Sequence, residues 1–173
     1  MVKNLTSIGI KNIVHIYNGH DFRSYKKLAE EDIACHFPNN KFIYLNIGRL
    51  THAKGHWHLI KAFSISARRD KNIFLVIIGE GELEDELRHL IKILDIEDRV
   101  AILANTSNIF PYLKRADCFT FTSLYEGLPN VLIEASSVGI PILSTDCISG
   151  PREILCPELS IDEKISYPYT SNS

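Results

Sequence analysis

At 173 residues, 45% of them hydrophobic, and with a mean hydropathy of -0.01, the sequence has the size and composition of one globular domain able to bury most of a core by itself. A formal charge of -2 and an isoelectric point near 6.4 exclude a general electrostatic field for nucleic acid or anionic lipid, so any anion site has to be local. The longest strongly apolar run, Ile73 to Ile78, is far too short for a membrane span, and the N-terminus lacks the charged and apolar regions of a signal peptide, which predicts a cytoplasmic protein.

In chain order, Ile13 to Tyr17 is the first strand candidate and Arg23 to Ala34 a possible helix, within a leading region, residues 1–40, that otherwise carries few signals and reads as a linker. Strands are predicted at Phe42 to Ile47, Ile73 to Ile78, Val100 to Leu103, Cys118 to Thr122 and Ile142 to Ser144. Each is short and rich in β-branched and aromatic residues, as buried parallel strands are. Helical patterns lie between them. Leu59, Ala62, Phe63 and Ala67 share one face, and Leu83, Leu87, Leu90, Ile91 and Leu94 share another, with charges opposite. A helix from Asn130 to Val138 starts behind Pro129, which suits the first helical position because its missing N–H costs nothing there. Gly139 stands where a left-handed residue closes a helix, and Pro141 forbids continuation. Residues 157–173 end in the polar, aperiodic SYPYTSNS and read as a frayed tail.

This alternation predicts an α/β fold with a doubly wound parallel sheet, helices on both faces, and a ligand crevice outside the carboxyl ends of the strands. Function is therefore expected in the loops that follow strands, within residues 41–156. The four cysteines, Cys35, Cys118, Cys147 and Cys156, form no CxxC pair, and reduced structural thiols are expected rather than bridges or metal ligands.

One of those loops carries Glu126-Gly-Leu-Pro-Asn-Val-Leu-Ile-Glu134. Glu126 lies ahead of the helix and Glu134 about one turn into it. Between them are the free backbone N–H groups of the first turn, a ready anion site. Two carboxylates repel bare phosphate at short range. They suit a ligand with neutral hydroxyls on both sides of its phosphates, since a carboxylate accepts hydrogen bonds from adjacent sugar hydroxyls. A nucleotide sugar has that form: ribose, diphosphate, sugar.

The same residues carry a family resemblance. Glu126, seven intervening residues and Glu134 match the EX7E element of retaining GT-B glycosyltransferases, and SLYEGLPNVLIEASSVGIPILSTD resembles the donor domain of the large family four group. YLNIGRLTHAKGHWHLIKAF is similar to that family's first strand and loop, and IFLVIIGEGELEDEL to its next strand and glycine-rich turn. CISGPREIL is similar to a branch that builds bacterial surface polysaccharides, often with UDP-linked galactose or N-acetylgalactosamine. The likeness runs from about Asn12 to Leu155 and is specific as a combined pattern.

The resemblance implies the C-terminal, Rossmann-like half of a GT-B enzyme. In it Arg49 and Lys54 would hold the donor diphosphate and, with Glu126, form the catalytic set. Gly48, Gly79, Asn105, Gly127, Leu128, Pro129, Asn130 and Glu134 would bind donor, with Glu134 on the ribose and Glu126 at the transferred sugar. Transfer would retain the anomeric configuration. The two cations and the helix N–H groups would stabilise the departing diphosphate in place of a divalent metal, so no metal or other cofactor is expected. Glu134 is not expected to act as a nucleophile, and the leaving group is acidic enough to need no general acid.

Plainer readings stand beside these. Arg49 and Lys54 are also what a solvated loop carries. Gly79-Glu80-Gly81 lacks the third glycine of a dinucleotide fingerprint and serves equally as a strand-to-helix turn, while Asn105 to Asn108 is equally a turn and cap. His52, His56 and His58 have no acidic or thiol ligand near them in sequence, which predicts solvated or core histidines and no metal site. The resemblance further implies an N-terminal domain that binds the acceptor, a glycan or lipid-linked sugar, and the sequence has no segment long enough for it. A cloned domain or truncated open reading frame is the expectation, binding donor and catalysing little transfer alone. The alternatives are a nucleotide-sugar binding module without chemistry and an unrelated doubly wound domain such as an epimerase or reductase, which would need the missing dinucleotide fingerprint.

Overall fold

The computed structural model describes residues 11, 14, 16, 18–32, 37–147, 150–160, 163–166 and 168–171. Strands β1 (Phe42–Ile47), β2 (Ile73–Ile78), β3 (Val100–Leu103), β4 (Cys118–Phe121) and β5 (Ile142–Ser144) form one sheet in the order β3-β2-β1-β4-β5, and every pair is parallel. Helix α1 (Phe22–Leu28) precedes them, and α2 (His56–Arg69), α3 (Glu84–Ile93), α4 (Phe110–Arg115), α5 (Asn130–Ser137) and α6 (Gly150–Leu155) alternate with or follow them. This is the expected doubly wound α/β arrangement.

The two-residue alternation of the strands divides the buried side chains between two cores. Ile73, Leu75 and Ile77 of β2 meet Leu59, Ile60, Phe63 and Ala67 of α2 and Leu87 and Ile91 of α3. On the opposite face Val76 and Ile78 lie with Ile43, Leu45, Phe119 and Phe121, under Phe110 and Leu113 of α4 and Leu132 and Ala135 of α5. Each fully buried side chain of this kind, such as Phe119 or Leu75, contributes roughly 1.5–3 kcal/mol. α1 belongs to the second face: Tyr25 stacks on Phe110 with ring centroids 4.3 Å apart, and Asn108 Nδ2 donates to Leu28 O at 3.0 Å.

Several local boundaries differ from expectation. β4 ends at Phe121 rather than Thr122, because Thr122 turns its hydroxyl onto the carbonyl of Lys54 at 3.1 Å. Pro129 is the N-cap and not the first helical residue: its ψ of 104° is extended, and α5 begins at Asn130. Ala62 is exposed, and Ile60 and Ser64 join the buried stripe of α2 instead. α1 starts at Phe22, where the Asp21 carboxylate accepts from the amides of Arg23 and Ser24, and stops at Leu28 well short of Ala34. The run Glu30, Glu31 and Asp32 explains the stop, since it would put like charges where a helix dipole favours cations. Gly139 closes α5 with φ 74°, as expected. Most of the Ile13 to Tyr17 strand candidate, Cys35 and parts of the SYPYTSNS tail lie outside the described residues. Cys118, Cys147 and Cys156 are free thiols, and among the described residues no helix is long and apolar enough to cross a membrane.

One irregularity of the sheet positions the site. β1 and β4 pair only at Tyr44 with Cys118 and Leu45 with Phe119. Beyond that the strands part, and the buried Asn46 side chain bridges them by donating to Thr120 O at 2.7 Å. β2 and β3 lie on one side of β1, β4 and β5 on the other, so the parting is the topological switch point, where a doubly wound sheet opens its ligand crevice.

Candidate functional site

Two loops meet at that opening, one after β1 and one after β4. The Leu124 amide donates to Ala53 O at 2.8 Å, and the Thr122 hydroxyl bond to Lys54 O ties the same loops a second time. The β1 loop passes through a 3-10 turn, His52–Lys54, and closes on Gly55, whose φ of 62° sets the start of α2. This geometry carries the Lys54 stem past Gly48 to the β4 loop. There Lys54 Nζ donates to Glu126 Oε1, which also accepts from Ser123 Oγ at 2.7 Å. Side-chain exposures of 22% for Lys54 and 14% for Glu126 leave the pair largely shielded from water. Lys54 and Glu126, assigned from sequence to different parts of a ligand, are thus each other's partners. Arg49 is exposed at the mouth of the crevice, and its guanidinium has no hydrogen-bond or ion-pair partner among the described residues.

α5 points its N-terminus into the same place. Pro129 is buried and caps the helix without a side-chain hydrogen bond, and the first turn carries no acidic residue, so the helix end keeps its positive character. In front of Gly127 the space is open: a methyl group there would meet nothing within 4 Å. Leu128 is half-buried, and Asn130 is exposed. α6 seals the far side of the loop. The Gly150 amide donates to Gly127 O at 2.9 Å, and a side chain at position 150 would strike that oxygen at 2.2 Å and Pro129 Cδ at 2.6 Å. Sequence reading gives Gly150 no role beyond its place in CISGPREIL, because the close approach is a tertiary contact.

Glu134 sits one turn into α5 and is half-buried; burial pushes its carboxyl above the usual range, and the nearby His20 draws it back. Asn18 Nδ2 donates to Asn130 Oδ1 at 2.8 Å across 112 positions of sequence, a separation that no spacing rule can detect. Gly79 is explained by packing: it is buried at the end of β2, and a side chain there would strike Gly48 O at 2.0 Å. Asn105 is exposed after β3, two strands away from β1, with its amide donating to Glu80 Oε1 at 3.2 Å. Asn108 of the same stretch, its side-chain oxygen accepting from the Phe110 amide at 3.1 Å, shapes the turn before α4, whose N-cap is Ile109.

The three neighbouring histidines divide. His52 and His58 are exposed beside Trp57, with centroid distances of 4.7 and 5.0 Å. His56 is fully buried, neither ring nitrogen has a partner among the described residues, and burial, aided by Lys54, lowers its pKa from 6.5 to about 4. Among the described residues no three His, Cys, Asp or Glu side chains group to hold a metal ion. Folded His56 binds a proton less tightly than an unfolded histidine, so the unfolded state takes up more protons as pH falls, and stability declines from about pH 6.5 towards 4. The His56 share of the loss reaches about 3 kcal/mol at the acid end. Thermal melts across this window should show a shallower decline for His56→Leu than for the wild type; parallel declines would contradict a buried neutral imidazole.

A recess of about 1010 Å³ lies along β5 and is lined by Leu143, Thr145, Arg152 and Tyr169 among others. It contains neither Lys54 nor Glu126, so chemistry rather than size locates the candidate site.

Fold and crevice together define a doubly wound α/β domain whose shielded charges gather at the switch point. Residues 29–161 match the family model for glycosyl transferases group 1, and the chain belongs to that family. An uncharacterized glycosyltransferase of Methanocaldococcus jannaschii is 43% identical over 171 residues, which are 97% of this chain and 40% of the relative. The N-acetylgalactosamine-N,N'-diacetylbacillosaminyl-diphospho-undecaprenol 4-alpha-N-acetylgalactosaminyltransferase of Campylobacter jejuni is 40% identical over 154 residues, 89% of this chain and 40% of the relative. The chain thus spans about 40% of the length of these curated relatives. Among solved structures, that of a S. aureus TarM mutant in complex with fondaparinux, alpha-GlcNAc-glycerol and UDP has a TM-score of 0.75 at 23% identity, covering 89% of this chain and 29% of that one, a likeness of fold. The resemblance seen in the sequence is borne out at the level of family and fold.

Proposed function

We propose that this chain is the donor-binding part of a retaining, metal-independent glycosyltransferase that uses a UDP-sugar, such as UDP-galactose or UDP-N-acetylgalactosamine, in polysaccharide or glycan assembly. The observation that carries the reading is the shielded Lys54–Glu126 pair beside the uncapped N-terminus of α5. A diphosphate entering there exchanges with Glu126 for Lys54 and meets Arg49 and the amides of Gly127 to Asn130. Glu126 is then released towards the sugar, and Glu134 takes the ribose hydroxyls. When the bond from anomeric carbon to phosphate oxygen breaks, the cations and amides stabilise the leaving diphosphate, and Glu126 faces the positive character of the sugar ring.

The C. jejuni relative is named as an N-acetylgalactosaminyltransferase acting on a diphospho-undecaprenol-linked sugar, which supports an N-acetylhexosamine donor and a lipid-linked acceptor; the acceptor would be held by an N-terminal domain. TarM, of the same fold, has been crystallised with UDP, which makes UDP the first nucleotide to test. On this reading the chain works in the cytoplasm, and the full-length enzyme lies peripherally at the inner face of the membrane. A calorimetric panel of UDP, GDP, ADP and their sugars, run with and without a chelator, tests the reading. UDP and a UDP-sugar should bind, and binding should survive the chelator. Failure of every nucleotide, or a strict need for manganese or magnesium, would contradict it.

A further inference from the structure

We propose that His20 is a positioning residue for the Glu134 carboxylate, aligned by Asn18 from its own segment and by Tyr25 from α1. The inference rests on the reading of Glu134 as the carboxylate that takes the ribose hydroxyls. Its first support is register. The Asn18 bond to Asn130 fixes the segment at the first residue of α5. From Asn130 to Glu134 the helix rises about 6 Å. From Asn18 to His20 the chain reaches at most about 7 Å. The two paths leave one contact and are of similar length, which brings His20 within reach of Glu134, and His20 is among the groups that draw the Glu134 carboxyl down.

The second support is the state of the imidazole. His20 Nδ1 lies 2.9 Å from the Tyr25 hydroxyl, and the Tyr25 ring is itself held against Phe110. In the tautomer in which the hydroxyl donates to Nδ1, the ring proton is on Nε2. That nitrogen is buried and has no hydrogen-bond partner among the described residues. A buried donor left unmade costs about 1–3 kcal/mol, and the neighbouring carboxylate is the acceptor that removes this cost. A hydrogen bond from Nε2 to the Glu134 carboxylate would complete a Tyr25–His20–Glu134 chain. Glu134 then has a fixed donor on one side and keeps its remaining lone pairs for ligand hydroxyls, the same division of labour by which outer partners orient metal-binding side chains. His20 acts through Glu134 and not on the ligand.

The test is calorimetric titration of UDP and 2′,3′-dideoxy-UDP into the 173-residue chain and its variants, with melting curves alongside. The wild type should prefer UDP by about tenfold, and Glu134→Gln should erase the preference. His20→Phe keeps a planar ring without the donor; it should lower the preference several-fold while leaving dideoxy-UDP affinity unchanged. His20→Gln keeps an N–H in the region of Nε2 and should restore most of the preference. Tyr25→Phe, which removes one hydroxyl, should move it the same way by less, and it decides the matter if His20→Phe does not fold. Full retention of the preference in His20→Phe, or in Tyr25→Phe where that variant decides, while Glu134→Gln loses it would overturn the role of His20 and leave the reading of Glu134 standing. Equal loss of both nucleotides in His20→Phe would likewise reduce His20 to packing. A preference that survives Glu134→Gln, or no binding of UDP by the wild type, would overturn both.

Discussion

Replacing Lys54 with alanine is expected to weaken nucleoside diphosphate binding by about 1.5–3 kcal/mol and to leave affinity for the nucleoside alone nearly unchanged. The lysine is held in a site with little water, where its charge is weakly screened and its stem is already ordered against Gly48. A second effect follows from its partner. Glu126 keeps the Ser123 hydroxyl at 2.7 Å but loses its cation while remaining mostly shielded, so the melting temperature should fall as well. The double variant Lys54→Met with Glu126→Gln removes both charges and should regain stability without regaining diphosphate affinity. Arg49→Ala provides the contrast, because an exposed guanidinium without a partner among the described residues should leave the melting temperature alone. Titration of UDP and uridine checks the first effect; equal losses for both would contradict a phosphate role for Lys54.

Gly150→Ala should damage the site from behind. Its new methyl would lie 2.2 Å from Gly127 O and 2.9 Å from Leu128 Cα, both backbone atoms, so the Glu126 to Pro129 loop must move or α6 must lift. Overpacking of this kind costs about 1–3 kcal/mol, and a loop displaced by an ångström loses on the order of a hundredfold in a positioned function. Gly127→Ala separates the two effects. Nothing stands within 4 Å of a methyl at that position, so the fold should be untouched, and nucleotide binding should weaken because the ligand needs the same space. Melts and UDP titrations of the two variants read this directly. Wild-type stability and affinity in Gly150→Ala would show that α6 and the loop are free to separate.

The fold was largely legible in the sequence because buried parallel strands advertise themselves. FIYLNI, IFLVII and CFTF have little except apolar and β-branched residues, and each lies within one residue of its expected bounds. α5 was legible for a different reason: Pro129 and Gly139 punctuate both of its ends. Local signals failed where a distant group decides. Thr122 leaves β4 for a carbonyl in another loop, and the acidic run after Leu28 outweighs the helical pattern that precedes it. The candidate site divides in the same way. Spacing and family resemblance pick out Lys54, Glu126 and Glu134 one at a time. That Lys54 pairs with Glu126, that Gly150 supports Gly127, and that Asn18 reaches Asn130 are consequences of the tertiary arrangement, which sequence spacing does not contain.

The central claim is that Glu126 and Glu134 serve opposite ends of one ligand, and titration of UDP and a UDP-sugar into Glu126→Gln and Glu134→Gln tests it most directly. Glu134→Gln should weaken both ligands alike, by about 1.5–3 kcal/mol, because both carry the ribose. Glu126→Gln should leave UDP affinity unchanged or slightly improved, since it releases Lys54 to the phosphates, and should remove only the extra affinity that the sugar supplies. Both substitutions preserve side-chain size, and melting curves taken in parallel will separate any loss of fold from loss of contact. If the two variants weaken UDP equally, or if neither alters any nucleotide ligand, the carboxylates of EGLPNVLIE do not divide a nucleotide sugar between them.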